Sequence, residues 1–515
     1  ATYYSGAKGE EKIQATKNFS SQGVWKSTTV FTYKADGVTL DYSTIYRRAY
    51  TSPTDSFDIS TLDYTQGTGA GQATIKSLTH YFGNEGEENI DYVQTFRSNN
   101  QVKDTTRYFY ERPTQLSTSI GDLSNAEEIL FSGSASILTS EGAIRQLGPD
   151  QPLEYQVTLT EDGKLEINFD AINSGQLPPT GYSSFIIDVT VDGQTKRITV
   201  AAHDDKWEST SVVFDGLSKG QHTVSLAWRN DYYNQAKGYD ANIKYKNLVF
   251  TQLDEVHADQ ADPDTALVKT ITYKADTNII KSVTVFDTTQ GKGEEKAERV
   301  YTYNALGTSI KTTTIYGYNA TTTALEGVTV YKGDLTGRDP NSSDLKRSLT
   351  HYFGYEGEEK ALYSQSYTNG NVSRTTLYNY NTTTGQLENT KTFKDTTERA
   401  TQVSGQWTKP IESNLGVLRQ ISHYRGDEGE EVIDWSQDFT GSVKGSETSR
   451  TTTVYTYDVD DLRSAVVYRD TATRTVKPIQ ATLDALVKRS ATYYSGAKGE
   501  EKALYSQSYT NGNVS

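Results

Sequence analysis

The sequence predicts an all-β protein: a tandem β-hairpin repeat array with an inserted β-sandwich of jelly-roll type. Three observations predict it. One phrase recurs along the chain, the composition suits half-exposed strands, and one interval between recurrences is far longer than the others.

Apolar residues make up only 34% of the 515 positions, yet Tyr (37) outnumbers Phe (15) and Thr is abundant. β-Branched and aromatic residues suit a pleated, half-buried surface, so this composition reads as thin sheets and not as disorder. A chain of this length exceeds one ordinary core, so several domains or an array are expected. Cys and Met are both absent, which rules out disulfides and thiolate metal sites and fits an oxidising exterior. The expected location is therefore secreted, extracellular or on a cell surface. The lack of Met also reads as a processed form or a segment of something longer. The formal charge of −15 repels nucleic acid and attracts divalent cations. No apolar run is long enough to span a bilayer, so no membrane insertion is expected within this segment.

The recurring phrase is an aromatic pair and a Gly, followed by Gly-Glu-Glu. It stands at Tyr3-Tyr4-Ser5-Gly6 with Gly9-Glu10-Glu11, and at His80-Tyr81-Phe82-Gly83 with Gly86-Glu87-Glu88. It returns at His351 with Gly357-Glu358-Glu359, at His423 with Gly429-Glu430-Glu431, and at Tyr493 with Gly499-Glu500-Glu501. A looser copy is Gly293-Glu294-Glu295. Four of the five intervals define a unit of about 70 residues, and the interval from Glu87 to Glu294 exceeds it by about 137. Residues 1–12 equal 491–502, and 357–373 equal 499–515, which suggests a still longer array.

Within a unit, Ala361 to Thr368 and Asn371 to Tyr380 flank Asn369-Gly370, a dipeptide that tolerates the positive φ angles of a two-residue hairpin. Paired aromatics at spacing two follow: Tyr108 and Tyr110, Tyr301 and Tyr303, Tyr378 and Tyr380, Tyr455 and Tyr457. Spacing of two places both rings on one face of a strand. Tyr455-Thr456-Tyr457-Asp458 with Leu462-Arg463, and Tyr301-Thr302-Tyr303-Asn304 with Gly307, resemble the tyrosine-aspartate (YD or Rhs-type) repeats of large bacterial surface and toxin-shell proteins. The family's Asp is present only at Asp458. The resemblance implies a long hairpin ribbon.

Residues 120–253 lack the phrase and carry more aliphatic strands, which divides the chain into hairpin repeats at 1–119, the insert, and hairpin repeats at 254–515. Leu153 to Thr160 and Lys164 to Asp170 about Asp162-Gly163 read as one hairpin. Phe185 to Val191 and Thr195 to Val200 about Asp192-Gly193 read as a second. Strands at His222 to Trp228 and Asn242 to Thr251 complete a two-sheet sandwich. The acidic stretch Asp254 to Asp264 reads as the exit linker.

The segment His222 to Tyr233, then Tyr239-Asp240-Ala241-Asn242-Ile243, resembles the calcium-dependent xylan-binding jelly-roll modules attached to plant cell-wall hydrolases. There, an Asn-Asp after the strand and an Asp of a following phrase lie at a loop that binds calcium, and the metal contacts sugar hydroxyls. The matching positions are Asp231 and Asp240, with Asn230 as a further oxygen donor; the family's Arg is Ala241 here. The resemblance implies calcium as cofactor and polysaccharide as partner. Tyr232, Tyr233 and Trp207 are the aromatics placed to stack on a sugar ring, while Trp228, mid-strand, reads as core.

Gly-Glu-Glu reads first as a solvated acidic turn that sets strand register, with calcium ligation between stacked units as the alternative. His80, His351 and His423 share a repeat position with Tyr3 and Tyr493. A proton-transfer group does not exchange with Tyr without changing the chemistry, so these read as packing residues. His203-Asp204-Asp205 reads as a polar turn that alternatively borders a sugar site. No nucleophile, zinc-protease, Walker or dinucleotide pattern occurs, so the chain is expected not to be an enzyme. The functional expectation is an extracellular structural repeat protein that self-associates into a fibre or surface layer and carries a carbohydrate-binding-like module. Its rivals are a polysaccharide-binding adhesin, and a non-catalytic part of a larger secreted enzyme or toxin shell.

Overall fold

The computed structural model describes residues 1–19, 25–47, 74–116, 130–131, 136–138, 143–146, 152–173, 177, 181–202, 206–230, 232–403, 406–458, 461–496, 498–499, 501–510 and 513–514. The chain forms two compact units, one of residues 1–108 with 269–515 and the other of residues 109–268. The expected insert at 120–253 falls within the second of these, and strand structure runs on into the first residues of the expected exit linker, ending at Val256.

The first unit is an antiparallel meander in which each strand pairs with the next in sequence. Thr2–Ser5, Lys12–Phe19, Trp25–Tyr33, Leu40–Arg47, Ile75–Phe82 and Asn89–Phe96 lead to the strand beginning at Val102. That strand pairs with Leu267–Lys274, and the meander then continues to the C-terminal strands. The Asn369-Gly370 hairpin is present, with Thr368 opposite Asn371 and φ of 50° and 79° at the two turn residues.

The recurring phrase builds one kind of turn. In the copy at 354–359, Glu358 donates its N–H to the Tyr355 carbonyl at 2.9 Å, and Gly357 has φ 81°, as a type II turn requires. The earlier Gly354 has φ 124°, and a Cβ there would stand 2.7 Å from the Glu358 carbonyl oxygen. The turn therefore excludes any other residue at that position.

The second Glu of the phrase has a definite task. Its carboxylate accepts the N–H of its own turn Gly, as in Glu359 from Gly357 at 3.0 Å and Glu501 from Gly499 at 2.8 Å. The other oxygen reaches past the neighbouring strand to the N–H of a Leu. Glu88 accepts from Leu40 (3.0 Å), Glu359 from Leu325 (2.9 Å), Glu431 from Leu387 (2.8 Å) and Glu501 from Leu462 (3.2 Å). Glu447 does the same for Leu418 at 2.9 Å and Gly445 at 2.7 Å. Gly445-Ser446-Glu447 is thus a further copy that a search for Gly-Glu-Glu misses.

Lys residues link one turn to the next across the surface. Lys296 meets Glu356 and Lys360 meets Glu428, each at 2.5 Å, and Lys12 pairs with Glu85. Replacing Glu359 by Ala leaves the Leu325 and Gly357 amides without their acceptor. Loss of hydrogen bonds to a charged partner predicts destabilisation of about 1–3 kcal/mol by denaturant titration.

The paired Tyr residues lie on an unbroken stretch of strand, so alternation keeps both on one face. Opposite the second Tyr of the pair the following strand carries a β-bulge, whose extra residue is Lys311, Glu388 or Arg463. A bulge breaks the two-residue alternation of the strand that carries it and raises the local twist. The second ring is tied down by its hydroxyl, which donates to a main-chain carbonyl of the preceding strand: Tyr380 to Ala361 at 3.1 Å, Tyr457 to Ile433 at 2.7 Å. Burial pushes both phenols up to about 12. Rings also meet directly across strands at a constant spacing of twelve, stacked for His80 with Tyr92, His423 with Trp435 and Tyr493 with Tyr505, and tilted for His351 with Tyr363.

Hydrophobic cores in this unit are small, such as Tyr363, Leu377, Phe393 and Leu415. Polar networks lie beside them. Asp395 accepts from Thr375 and forms a forked pair with Arg399, while Gln365 accepts the Arg399 N–H at 2.9 Å and donates to the Thr397 carbonyl. The same arrangement recurs with Asp470, Thr452, Arg474, Gln437 and Ala472.

The second unit is a β-sandwich. One sheet centres on Gly163–Asn173, flanked by Glu208–Leu217 and Ile243–Val256. The other runs Gln194–Ala201, Ser184–Val191, Gly220–Trp228, Leu153–Leu159 and Leu130–Phe131. Leu153, Leu159, Leu165, Ile167, Phe185, Ile187, Phe214 and Trp228 are almost wholly excluded from water in one shared core. The hairpin expected about Asp192-Gly193 forms, with both turn residues at positive φ (47° and 85°). The one expected about Asp162-Gly163 does not. Leu153–Leu159 pairs with Gly220–Trp228 in one sheet, while Gly163–Asn173 belongs to the other. Both strands turn their odd-numbered residues to the common core, a demand that two facing sheets satisfy and a flat hairpin in this register would not.

Candidate functional site

The candidate ligand site follows the Gly220–Trp228 strand. Trp228 is fully buried, edge-on to Phe185 at 6.0 Å. The next turn is anchored by Asn230, whose Oδ1 accepts from the Ile186 N–H (2.6 Å) and the Trp228 indole (3.0 Å), while Nδ2 donates to the Ser184 carbonyl (2.7 Å). The Asn230 side chain thus holds the turn onto the adjacent strand and has its carbonyl oxygen occupied by two donors. Asp231 lies outside the described residues, as do His203, Asp204 and Asp205.

A two-stranded ribbon comes next, Tyr232–Asn234 against Tyr239–Ala241. Its loop is a one-turn 3₁₀ helix capped by the Asn234 side chain on the Lys237 N–H (3.2 Å) and closed by Gly238 at φ 71°. Across the ribbon, Tyr233 stands directly opposite Asp240. Tyr233 is 64% exposed, whereas Tyr232 packs against the core beside Tyr182 at 6.2 Å. Alternation along a three-residue strand explains the split: one ring faces in, the next faces out. Trp207 is half-buried, with the Lys246 ammonium 4.1 Å from its ring centroid, so a cation already covers part of its surface.

The expected residues therefore separate. Tyr233 and Asp240 come together on the open ribbon, Asn230 and Tyr232 serve the interior, and Trp207 engages Lys246. Among the described residues no group of three or more His, Asp or Glu side chains is placed to hold a metal. Calcium takes six to eight oxygens; Asp240 with nearby carbonyls is a partial set, to which Asn230 Oδ1 is not free to add.

Reading from sequence missed the charged cluster on the opposite face of the same strands. Asp188 takes a forked pair from Arg197 (2.7 and 2.9 Å) and a third bond from Arg229 (2.9 Å). The Arg197 bonds, helped by Arg229, outweigh desolvation and hold the Asp188 carboxyl below the usual range. The signal was an Asp in a largely apolar strand, Phe185 to Val191, and its partners came from the neighbouring Gln194–Ala201 strand and from Arg229, just past the Gly220–Trp228 strand.

No protein-family model and no curated protein matches the chain. Solved structures show a distant similarity. The CBM36-1 domain of a multidomain xylanase from the hindgut metagenome of Trinervitermes trinervoides is 17% identical, over 27% of this chain and 95% of that one, with a TM-score of 0.19. A structure described as CBM4 is 12% identical, over 27% and 96%, with a TM-score of 0.18. A ruminal GH26 endo-beta-1,4-mannanase is 15% identical over 27% of this chain and 25% of its own length, with a TM-score of 0.16.

Proposed function

We propose that this chain is a non-enzymatic, extracellular structural repeat protein that self-associates into a fibre or surface layer, with the sandwich as a carbohydrate-binding element. The observation that carries the reading is the reach of the second Glu in four copies of the phrase, which closes the start of a strand two places earlier in the meander. Each repeat is completed by its successor, as in arrays whose stability is a sum of nearest-neighbour interfaces.

Electron microscopy of the purified chain in calcium tests the reading. Regular filaments or sheets are expected; monodisperse particles at high concentration would overturn self-association. The adhesin reading is favoured by one observation, the exposed Tyr233 opposite Asp240. Calcium bound at that ribbon with sugar hydroxyls completing its shell would be weak, on the order of 10⁻⁴ to 10⁻³ M. Calorimetry with calcium and xylo- or manno-oligosaccharides is expected to show heat that a Tyr233→Ala, Asp240→Ala double variant abolishes. Unchanged heat in that variant removes the ribbon as the site.

A further inference from the structure

Two turns of the array begin with the same four residues, Tyr33-Lys34-Ala35-Asp36 and Tyr273-Lys274-Ala275-Asp276. In the first, Asp36 folds back on its own turn. Its carboxylate accepts the Val38 N–H (2.9 Å), the Thr39 N–H (3.0 Å) and the Thr39 hydroxyl (2.6 Å), and the positive φ of 74° falls on Gly37. Those bonds, the Thr39 side chain foremost, bring the Asp36 carboxyl down to about 2.

In the second turn Thr277 stands where Gly37 stood, and the positive φ moves to Ala275, at 51°. A residue with a Cβ holds that conformation at a cost of roughly 1–2 kcal/mol. The Ala275 N–H instead bonds the Lys103 carbonyl at 2.9 Å. Asp276 is thereby released from its own turn and aimed over the sheet, where it accepts from Gln94 Nε2 (3.0 Å) and Thr105 Oγ1 (3.4 Å).

The result is an open groove of about 240 Å³ whose lining includes Tyr92, Gln94, Arg107, Tyr273, Asp276 and Asn278. It is smaller than pockets for drug-sized ligands, roughly 300–1,000 Å³, and suits a single ring with its substituents. Two phenol rings line it, Tyr92 with one face stacked on His80 and the other face left for a ligand, and Tyr273 beside a cation. The Arg107 guanidinium lies 5.7 Å from the Tyr273 centroid, and with Gln94, Asp276 and Asn278 it adds planar donors and acceptors. One cation and one anion leave the lining without net charge, which disfavours a strongly charged ligand. A pyranose matches this set, because it presents an apolar C–H face to an aromatic ring and hydroxyls around its rim to planar polar groups.

We propose that the groove formed by the 275–278 turn over Tyr92, Gln94 and Arg107 binds one pyranose residue of a neutral saccharide. This site lies within the hairpin array and goes beyond the sandwich reading.

The test uses the full chain carrying Tyr233→Ala and Asp240→Ala, so that the ribbon of the sandwich does not contribute. It is titrated calorimetrically with xylohexaose, cellohexaose, mannohexaose and maltohexaose. Saturable binding of at least one is expected, weakened at least tenfold by either Tyr273→Ala or Asp276→Ala and unchanged by Asp36→Ala. Thermal melts check that each variant folds, and Asn278→Ala, on the exposed turn, replaces any that does not, with the same weakening expected. No saturable heat with any of the four overturns the proposal. So does binding indifferent to these substitutions, or binding seen only while Tyr233 and Asp240 are intact. Filament formation is unaffected by these variants, so this failure is separable from failure of the scaffold reading.

Discussion

Replacing Asp470 by Ala is expected to destabilise the repeat array by about 3 kcal/mol, the range for removing one partner of a buried ion pair. Its side chain is 1% exposed and meets Arg474 in a forked pair, the Thr452 hydroxyl and the Ala472 N–H. Alanine leaves a partly buried guanidinium and two further donors without an acceptor. Chemical denaturation at neutral pH reads the loss; a change within about 0.5 kcal/mol, the range of ordinary surface substitutions, would show that the network carries no stability. The pH dependence points the same way. Burial raises the Asp470 carboxyl, but Arg474, Thr452 and the Ala472 amide outweigh it and lower the group overall. Its contribution is therefore complete above the unfolded carboxyl range, near 3.9, and is lost as pH falls through the lowered folded value. Asp395 repeats the arrangement and the direction of shift.

His351 is expected to make the array lose roughly 2 kcal/mol between pH 7.5 and pH 5, and His351→Phe to abolish that loss. The ring is 3% exposed, lies 3.8 Å from Trp407 and 4.8 Å from Tyr363 between centroids, and neither nitrogen meets a hydrogen-bond partner. Burial, with Lys346 acting in the same direction and Glu398 opposing, pushes its pKa down to about 4. Between about 4 and 6.5 the unfolded chain binds a proton that the folded chain refuses, so stability rises with pH through that window and is complete above it. Phenylalanine keeps the ring contact and removes both unpaired nitrogens, so the variant is expected to match or exceed the wild type at pH 5. Urea midpoints of both proteins at the two pH values decide it. An equal pH dependence in the two proteins would place the proton-linked group elsewhere.

At this position the repeat itself carries the structural information. Exchange of His for Tyr at one place in the phrase marked it as a packing position, and the rings do meet others across the strands. Their partners, Tyr92, Tyr363, Trp435 and Tyr505, were also legible as a constant spacing of twelve, but the Tyr pairs at spacing two drew attention instead. Those pairs keep their alternation and stand opposite bulges of the following strand, where an extra residue enters the ladder.

What the sequence determined by itself is local and periodic: the all-β class, the roughly 70-residue unit, the two-residue hairpins at Asn369-Gly370 and Asp192-Gly193, and the abrupt change of character after the first repeats. Glycines with positive φ and alternating apolar residues act over a few residues, so their meaning survives without the rest of the chain. Only the tertiary structure decided outcomes that depend on partners distant in sequence. Asp162-Gly163 joins two sheets while Asp192-Gly193 closes a hairpin, since the core between the sheets overrides the shared dipeptide. Asp36 caps its turn while Asp276 points over the sheet, because Thr277 denies the second turn its glycine and Lys103 offers another bond. Tyr363 and Tyr505 sit in identical stretches, yet one is buried and the other open. Burial belongs to the neighbours that a strand meets, and seventeen identical residues do not carry their neighbours with them.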